Sequence, residues 1–329
     1  MTIPHSLSML IQQSRFLVTG GAGFIGSHLV DFLLKHHAQQ VVIVDNFSTG
    51  TFENIQSALR FANCQLIEGD LQNRIICEMA CEGIDFVFHQ AALGSVPRSI
   101  HDPISTHQAN VNSFVNLLVA MQKAQVKKMV FASSSSVYGS LLDDVKQEIT
   151  IGEPLSPYAA TKRINEIYAD IFAQTYQQDL IGLRYFNVFG PRQNPDGPYA
   201  AVIPKFIQSV LEEKAGIIFG DGEQSRDFTY IDNVVYANIL ALLKHSQEYR
   251  FFNIACGQSI SLNQVWNAIN IFCEAELPVF YQHPRQGDIL HSRADISRAK
   301  QCLNYQPFVY FNEGIRRTIS WYQSQRTHD

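Results

Sequence analysis

The first half of the chain alternates short, nearly continuous apolar runs with longer stretches whose apolar residues recur at helical spacing. The runs are Phe16-Leu17-Val18, Val41-Val42-Ile43-Val44, Gln65-Leu66-Ile67, Phe86-Val87-Phe88 and Met129-Val130-Phe131, and helix-length sequence separates each from the next. Strands apolar on both sides belong in a parallel sheet covered on both faces. The pattern predicts an α/β chain with a doubly wound parallel sheet, its first helix running from Phe24 to Lys35. The rhythm changes after Gly190, where Pro191-Arg192-Gln193-Asn194-Pro195-Asp196-Gly197-Pro198 is dense in turn formers. Beyond it come shorter elements: helices near Ala201–Glu213, Leu262–Glu274 and Phe311–Ser324, and strands near Ile217–Phe219 and Phe251–Ile254. We therefore expect a sheet domain over 15–190 with a return segment at about 228–256, and a smaller α/β lobe over about 191–227 and 257–329. There is no internal repeat.

Composition narrows the classes without choosing among them. With 46% hydrophobic and 17% charged residues, the chain has the material for a sizeable core, and 329 residues suit two domains or one core with a lobe. A net charge of −5 with no basic block argues against nucleic acid and against a polybasic membrane patch. No apolar run reaches the roughly 18 residues of a membrane span, and Met1–Ser14 lacks the features of a secretory signal. Six dispersed cysteines without zinc-ligand spacing suggest reduced thiols in a cytoplasmic protein and no metal.

The first apolar run leads into Thr19-Gly20-Gly21-Ala22-Gly23-Phe24-Ile25-Gly26 and then a helix. Glycines there let the backbone turn tightly and approach a pyrophosphate whose charge rests on the helix N-terminus. Asp45 closes the second strand about 20 residues later, where a carboxylate binds ribose hydroxyls and repels a 2′-phosphate. Strand, glycine turn, helix and acid together predict a Rossmann-type dinucleotide site that prefers NAD to NADP.

Two more clusters fall past strand ends, where open α/β sheets hold ligands. Ala132-Ser133-Ser134-Ser135-Ser136-Val137-Tyr138-Gly139 follows the fifth run, and Ser156-Pro157-Tyr158-Ala159-Ala160-Thr161-Lys162 opens a helix with Ser156 as N-cap. Tyr158 and Lys162, four residues apart, share one helical face. An ammonium beside a phenol lowers its pKa from about 10, which suits the tyrosine to general-base work. Ser134 is expected to hydrogen-bond the same substrate hydroxyl.

These motifs resemble those of the extended short-chain dehydrogenase/reductase family from about Arg15 onward. Asp70-Leu71, His89-Gln90-Ala91-Ala92, Arg184-Tyr185-Phe186-Asn187-Val188-Phe189-Gly190 and Arg285-Gln286-Gly287-Asp288 extend the match, the last two to its nucleotide-sugar branch. The resemblance implies that Gly20, Gly23, Phe24, Ile25, Gly26, Asp45 and Asn46 hold the NAD together with Asp70 and Leu71 at the adenine. It places Gln90, Ala91, Tyr158, Lys162 and Tyr185 at the other end. Asn187, Arg226, Arg285 and Asp288 would hold a nucleoside diphosphate, arginine suiting phosphate through its planar fork. Arg226 has an alternative role as the ion-pair partner of Asp227.

Dehydratases and decarboxylases of this branch carry carboxylates just after the catalytic hydroxyl, where this chain has Ser135 and Ser136. That difference favours a 4-epimerase. Ala92-Leu93-Gly94-Ser95-Val96-Pro97-Arg98-Ser99 and Tyr199-Ala200-Ala201-Val202-Ile203-Pro204-Lys205 resemble sugar-pocket segments of UDP-N-acetylhexosamine 4-epimerases of bacterial polysaccharide pathways. Small residues at Gly94, Ser95, Ala201 and Ser292 leave room for an N-acetyl arm, with Val202 beside them. A UDP-N-acetylhexosaminuronate stays open as substrate, and a keto-sugar reductase, a dehydratase and an NAD sensor stay open as rivals. Helices over Ile104–Ala124 and Pro157–Tyr176 correspond to those that pair as a four-helix bundle in homodimers of the family. Asn73, where an acid is common, and the segment Met1–Ser14 depart from the pattern.

Overall fold

The computed structural model describes residues 3–196, 200–245, 248–284 and 290–326. Helix α1 (His5–Gln12) precedes the first strand, β1 (Arg15–Thr19), which is buried from Phe16 onward and lies in the interior of the main sheet. The chain then runs through α2 (Phe24–Lys35), β2 (Gln40–Asp45), β3 (Cys64–Glu68), α3 (Arg74–Cys81) and β4 (Phe86–His89). A short α4 (Val96–His101) leads to α5 (Pro103–His107), which passes through a π-turn at Gln108–Asn112 into α6 (Ser113–Ala124). The helix expected from Ile104 is thus continuous but widened at one turn.

Strand β5 (Lys128–Ser134), the two-residue β6 (Val145–Lys146), α7 (Pro157–Tyr176), β7 (Leu180–Tyr185) and β8 (Val188–Phe189) follow. Next come α8 (Val202–Leu211), β9 (Gly216–Phe219), β10 (Ser225–Arg226), β11 (Thr229–Tyr230) and α9 (Ile231–Ala241). The rest comprises β12 (Phe251–Ile254), β13 (Ile260–Ser261), α10 (Leu262–Phe272), β14 (Val279–Gln282), β15 (His291–Ala294), α11 (Ser297–Leu303) and α12 (Phe311–Arg326). Helices α8 and α10 each end two residues before the expected position, at Leu211 and Phe272.

Seven parallel strands form the main sheet in the order β12-β7-β5-β4-β1-β2-β3. This is the doubly wound Rossmann-type α/β fold. Strand order reverses between β1 and β4, which opens a crevice outside the strand carboxyl ends. One face packs Phe16, Phe88, Val130 and Ile181 against α2 and α9; the other packs Leu17, Val87, Met129 and Phe131 against α3 and α6.

Several elements carried no expectation. Helix α9 is buried nearly all round and so shows no amphipathic stripe. Helix α1, whose Leu7 and Ile11 enter the same core as α2, falls in the segment to which no role was given. A small sheet, β13-β10-β15-β6, is built of strands two to four residues long, too short to alternate visibly. It sets Arg226 beside Ser292 and Lys146 beside Ala294.

Candidate active site

A cavity of about 600 Å³ opens at the carboxyl ends of the main strands. Its floor begins at the turn after β1. Gly20 has φ +66°, and a Cβ there would sit 2.7 Å from the Ala91 backbone nitrogen. At Gly26 a Cβ would meet the Gly20 carbonyl at 2.1 Å, so strand turn and helix pack only because both positions are glycine. Helix α2 starts at Gly23 with no side-chain cap and no acid in its first turn. Its orphan N–H groups, beside Phe24 and Ile25, are left for an anion.

At one end of the cavity Asp45 is 8% exposed, and its two carboxylate oxygens accept from the Ala22 and Phe47 N–H groups. Each oxygen keeps lone-pair capacity toward the cavity. The Asn46 amide donates to Asp70 at 2.9 Å and Gln72 braces the same carboxylate, with Leu71 alongside. Val44, Ser48 and Thr49 complete this end, which none of these neighbours makes basic.

At the other end β5 delivers Ser134, paired in register with Tyr185 of β7. Helix α7 begins where expected, the Ser156 hydroxyl accepting from Ala159 N–H at 3.1 Å with Pro157 in its first turn. Its first turns carry Tyr158 and Lys162 into the same space as Ser134, Ser135 and Ser136. The Ser136 hydroxyl is buried without a partner. The electrostatics differ from the expectation. Lys162 donates to the Ala132 carbonyl at 2.8 Å, and burial pulls its pKa down to about 8. Burial pushes the Tyr158 phenol up, and the opposing influence comes from the Ser134 hydroxyl, not the Lys162 charge.

Gly94, Gln90, Ala91, Asn187, Arg226 and Ser292 also line the cavity, as does Tyr185. Three expected residues do not. The Ser95 hydroxyl caps α4 by accepting from Arg98 N–H, Ala201 stands just before α8 without a side-chain cap, and Val202 packs on the core. Tyr199, Arg285 and Asp288 lie outside the described residues. For Arg226 the alternative pairing is not what holds Asp227. That carboxylate accepts from the backbone N–H groups of Cys256, Gly257 and Ala294, while Arg226 donates to the carbonyls of Ser225 and Leu290.

The sequence pattern of the NAD dependent epimerase/dehydratase family matches residues 16–255. The chain belongs to that family. A UDP-N-acetylglucosamine 4-epimerase from Methanobrevibacter ruminantium M1, solved in complex with UDP-N-acetylmuramic acid, superposes with TM-score 0.90 at 41% identity, covering 95% of this chain and 99% of that one. A UDP-glucose 4-epimerase of Mycolicibacterium smegmatis is 37% identical over 94% of this chain and 99% of its own length. A UDP-glucuronate 4-epimerase of Thermodesulfobacterium geofontis is 34% identical over 93% and 95%.

The residues present fit the NAD of this epimerase/dehydratase chain: a side-chain-free cradle at Gly20 and Gly26, an uncapped helix start, and a carboxylate with spare lone pairs at Asp45. Several cavity residues have no role in the sequence reading. Gln193, whose Oε1 is buried without a partner, lies in the turn-rich segment. Lys146 is fully buried and holds the Leu141 and Asp143 carbonyls at 2.6 and 2.5 Å. Ser133 and Tyr138 touch the cavity but belong to a network behind it, centred on Glu166 and Arg184. The serine run named Ser133 and Tyr138; nothing in the local sequence signalled Lys146.

Proposed function

We propose that this protein interconverts UDP-N-acetylglucosamine and UDP-N-acetylgalactosamine by NAD-dependent epimerisation at C4. The observation that carries the reading is where the carboxylates are. Among the described residues lining the cavity they are Asp45 and Asp70, on the β2 and β3 side. Three strand spacings separate β2 from β5, about 14 Å, whereas a proton donor must come within about 3 Å of its target. Beside Tyr158 stand Ser135 and Ser136 instead. One base and, among the described residues, no second acid beside it suit removal and return of a single proton, as epimerisation through a 4-keto sugar requires, and do not suit elimination of water.

In this reading the Tyr158 oxygen takes the proton of the sugar 4-hydroxyl, and Ser134 hydrogen-bonds the same oxygen and fixes its direction. When bound, NAD supplies the acceptor and later the donor of a hydride, and in its oxidised form a positive charge. Gly20, Gly26 and the α2 N-terminus hold its pyrophosphate, Asp45 a ribose. Arg226 holds the diphosphate of the sugar nucleotide. The planar keto sugar turns about that anchor and presents its other face, and Tyr158 returns the proton.

Ser292, opposite Arg226 in the small sheet, gives the acetamido arm its space. A UDP-N-acetylhexosaminuronate is the second reading, favoured by the buried ammonium of Lys146 in the cavity wall. Incubation of purified protein with UDP-N-acetylglucosamine, without added cofactor, followed by NMR, should give UDP-N-acetylgalactosamine of unchanged mass. No conversion at full NAD occupancy, with turnover of the uronate, overturns the neutral-sugar assignment in favour of the second reading. We also infer a homodimer through α5–α6 and α7, on which Ile104, Val119, Ile167 and Ile171 are exposed. Sedimentation as a monomer at micromolar concentration would contradict it.

A further inference from the structure

Helix α9 packs behind the cavity and is apolar on nearly every side, yet it carries Asn238, fully buried. A buried amide costs stability unless its hydrogen-bonding groups are satisfied, so its partners define its purpose. Asn238 Nδ2 donates to the Val234 carbonyl at 2.8 Å and to the Tyr185 hydroxyl at 2.8 Å. Gln90 Nε2 lies 3.3 Å from Asn238 Oδ1, and the Tyr185 hydroxyl lies 3.2 Å from Gln90 Oε1.

Proton counting fixes the direction of this ring. The Tyr185 hydroxyl has one hydrogen, with Gln90 Oε1 and Asn238 Oδ1 both in range. Asn238 Oδ1 has a donor in Gln90 Nε2, whereas Gln90 Oε1 has the phenol as its donor here, so the arrangement that satisfies every group sends the phenol hydrogen to Gln90 Oε1 and closes the ring: Asn238 to Tyr185, Tyr185 to Gln90, Gln90 back to Asn238. On this face β5, between β4 and β7, carries the small Ala132 beyond Val130, which leaves room for the ring. Gln90 and Tyr185 both line the cavity; Asn238 does not. The ring therefore fixes the rotation of the Gln90 amide and leaves one Nε2 hydrogen outside it.

We propose that Asn238 is a positioning residue for the cofactor: through Tyr185 it locks the Gln90 amide so that its remaining N–H meets an acceptor on the nucleoside that lies over β4, β5 and β7. A dinucleotide crosses the sheet at the β1/β4 reversal, so the half not held by Asp45 lies over those strands. The inference rests on the NAD dependence of the family and not on the identity of the sugar.

The test measures cofactor retention. Asn238→Leu keeps the volume and removes donors and acceptor. In the holoprotein we expect about tenfold faster release of bound NAD than in the parent protein, the size expected for one misdirected hydrogen bond. The KM for the nucleotide sugar should stay within twofold. The double variant Asn238→Leu/Gln90→Leu should release NAD no faster than Gln90→Leu alone. Should Asn238→Leu fail to fold, Tyr185→Phe opens the same ring by deleting one oxygen and should raise the release rate similarly. A lowered melting temperature with NAD release unchanged, or additive effects in the double variant, would make the ring a packing device only and overturn the proposal. Loss of turnover with NAD release unchanged would likewise overturn it, whereas failure of the parent protein to epimerise UDP-N-acetylglucosamine while retaining NAD bears on the sugar assignment alone.

Discussion

Glu166→Gln should damage this protein more than any other substitution that changes so few atoms. Glu166 is fully buried on α7 and receives four donors: the Ser133 hydroxyl at 2.6 Å, Arg184 Nε and Nη2 at 2.8 and 2.9 Å, and Arg163 Nη1 at 3.3 Å. Burial works against the Arg184 charge, and the paired carboxylate outweighs it, holding the guanidinium above its ordinary pKa. The isosteric amide turns an NH2 toward one of those donors and leaves Arg184 charged in a site 1% exposed to water. Breaking one side of a buried pair costs about 3–5 kcal/mol. At about 2–3 °C per kcal/mol for a chain of this size, the melting temperature should fall by about 6–15 °C. Arg163→Ala touches the same carboxylate from a side chain 35% exposed and should cost less than about 1 kcal/mol. Chemistry should suffer as well, because the cluster ties β5 just before Ser134 to α7 two turns beyond Tyr158. Below the melting transition we expect kcat to drop at least roughly tenfold, as for a small misplacement of reacting groups. Scanning fluorimetry and initial rates on the three proteins decide the matter. If Glu166→Gln melts within 2–3 °C of Arg163→Ala (a gap of about 1 kcal/mol), the buried pair is not the clamp argued here.

Tyr158→Phe should retain NAD, measured after acid release, and lose about 10²–10⁴ in turnover, the usual value of a positioned base; near-normal rates would remove it from that role. Ser292→Tyr should cut kcat/KM for UDP-N-acetylglucosamine by about 10–200-fold relative to UDP-glucose, since a ring fills the space proposed for the acetamido arm. Equal loss for both sugars would deny Ser292 that function. Burial lowers the His89 pKa to about 3, against 6.5 unfolded. A depressed folded pKa gives stability present above pH 6.5 and lost as the pH falls toward 3. Between pH 7 and 5 His89 should account for about 2 kcal/mol, read by urea titration. His89→Asn, which keeps an acceptor for the Thr19 hydroxyl, should flatten that part of the curve; an unchanged slope would refute the assignment.

What the sequence made legible was local. Near-continuous runs such as Val41–Val44 announce buried parallel strands, and the glycine turn, Asp45 and the Ser156-Pro157 start of α7 are each specified by chemistry within a few residues. Tertiary contact decided the rest. Helix α9 has no polar face to betray it, and β7 carries Arg184 in a strand whose every residue is buried, which reads as a poor strand until Glu166 is placed beside it. Lys146 reaches the cavity only because a two-residue strand pairs with β15, more than a hundred positions away. The activation of Tyr158 was misjudged for a related reason. Helical spacing brings Lys162 to the same face, but it does not reveal the Ala132 carbonyl, 30 positions earlier, that takes the ammonium hydrogen bond.

Hydrogen-bond accounting also explains why one tyrosine of three in the cavity wall suits a proton cycle. The Tyr138 hydroxyl donates to Asn253 Oδ1 and accepts from Arg184, and burial pushes its pKa up to about 12. Its ionisation would leave two oxygens facing each other without a proton, while Arg184 is already matched by Glu166. Tyr185 donates within the ring that orients Gln90 and is held above its ordinary pKa by burial; removing its proton would set a phenolate against the Gln90 carbonyl. Tyr158 has the Ser134 hydroxyl as its polar neighbour instead. A hydroxyl rotates, accepting from a phenol and donating to a phenolate with equal ease. Ser134 can therefore satisfy Tyr158 in both protonation states. That reversibility, more than a permanently low pKa, is what a residue needs if it must take a proton from one face of a sugar and return it to the other.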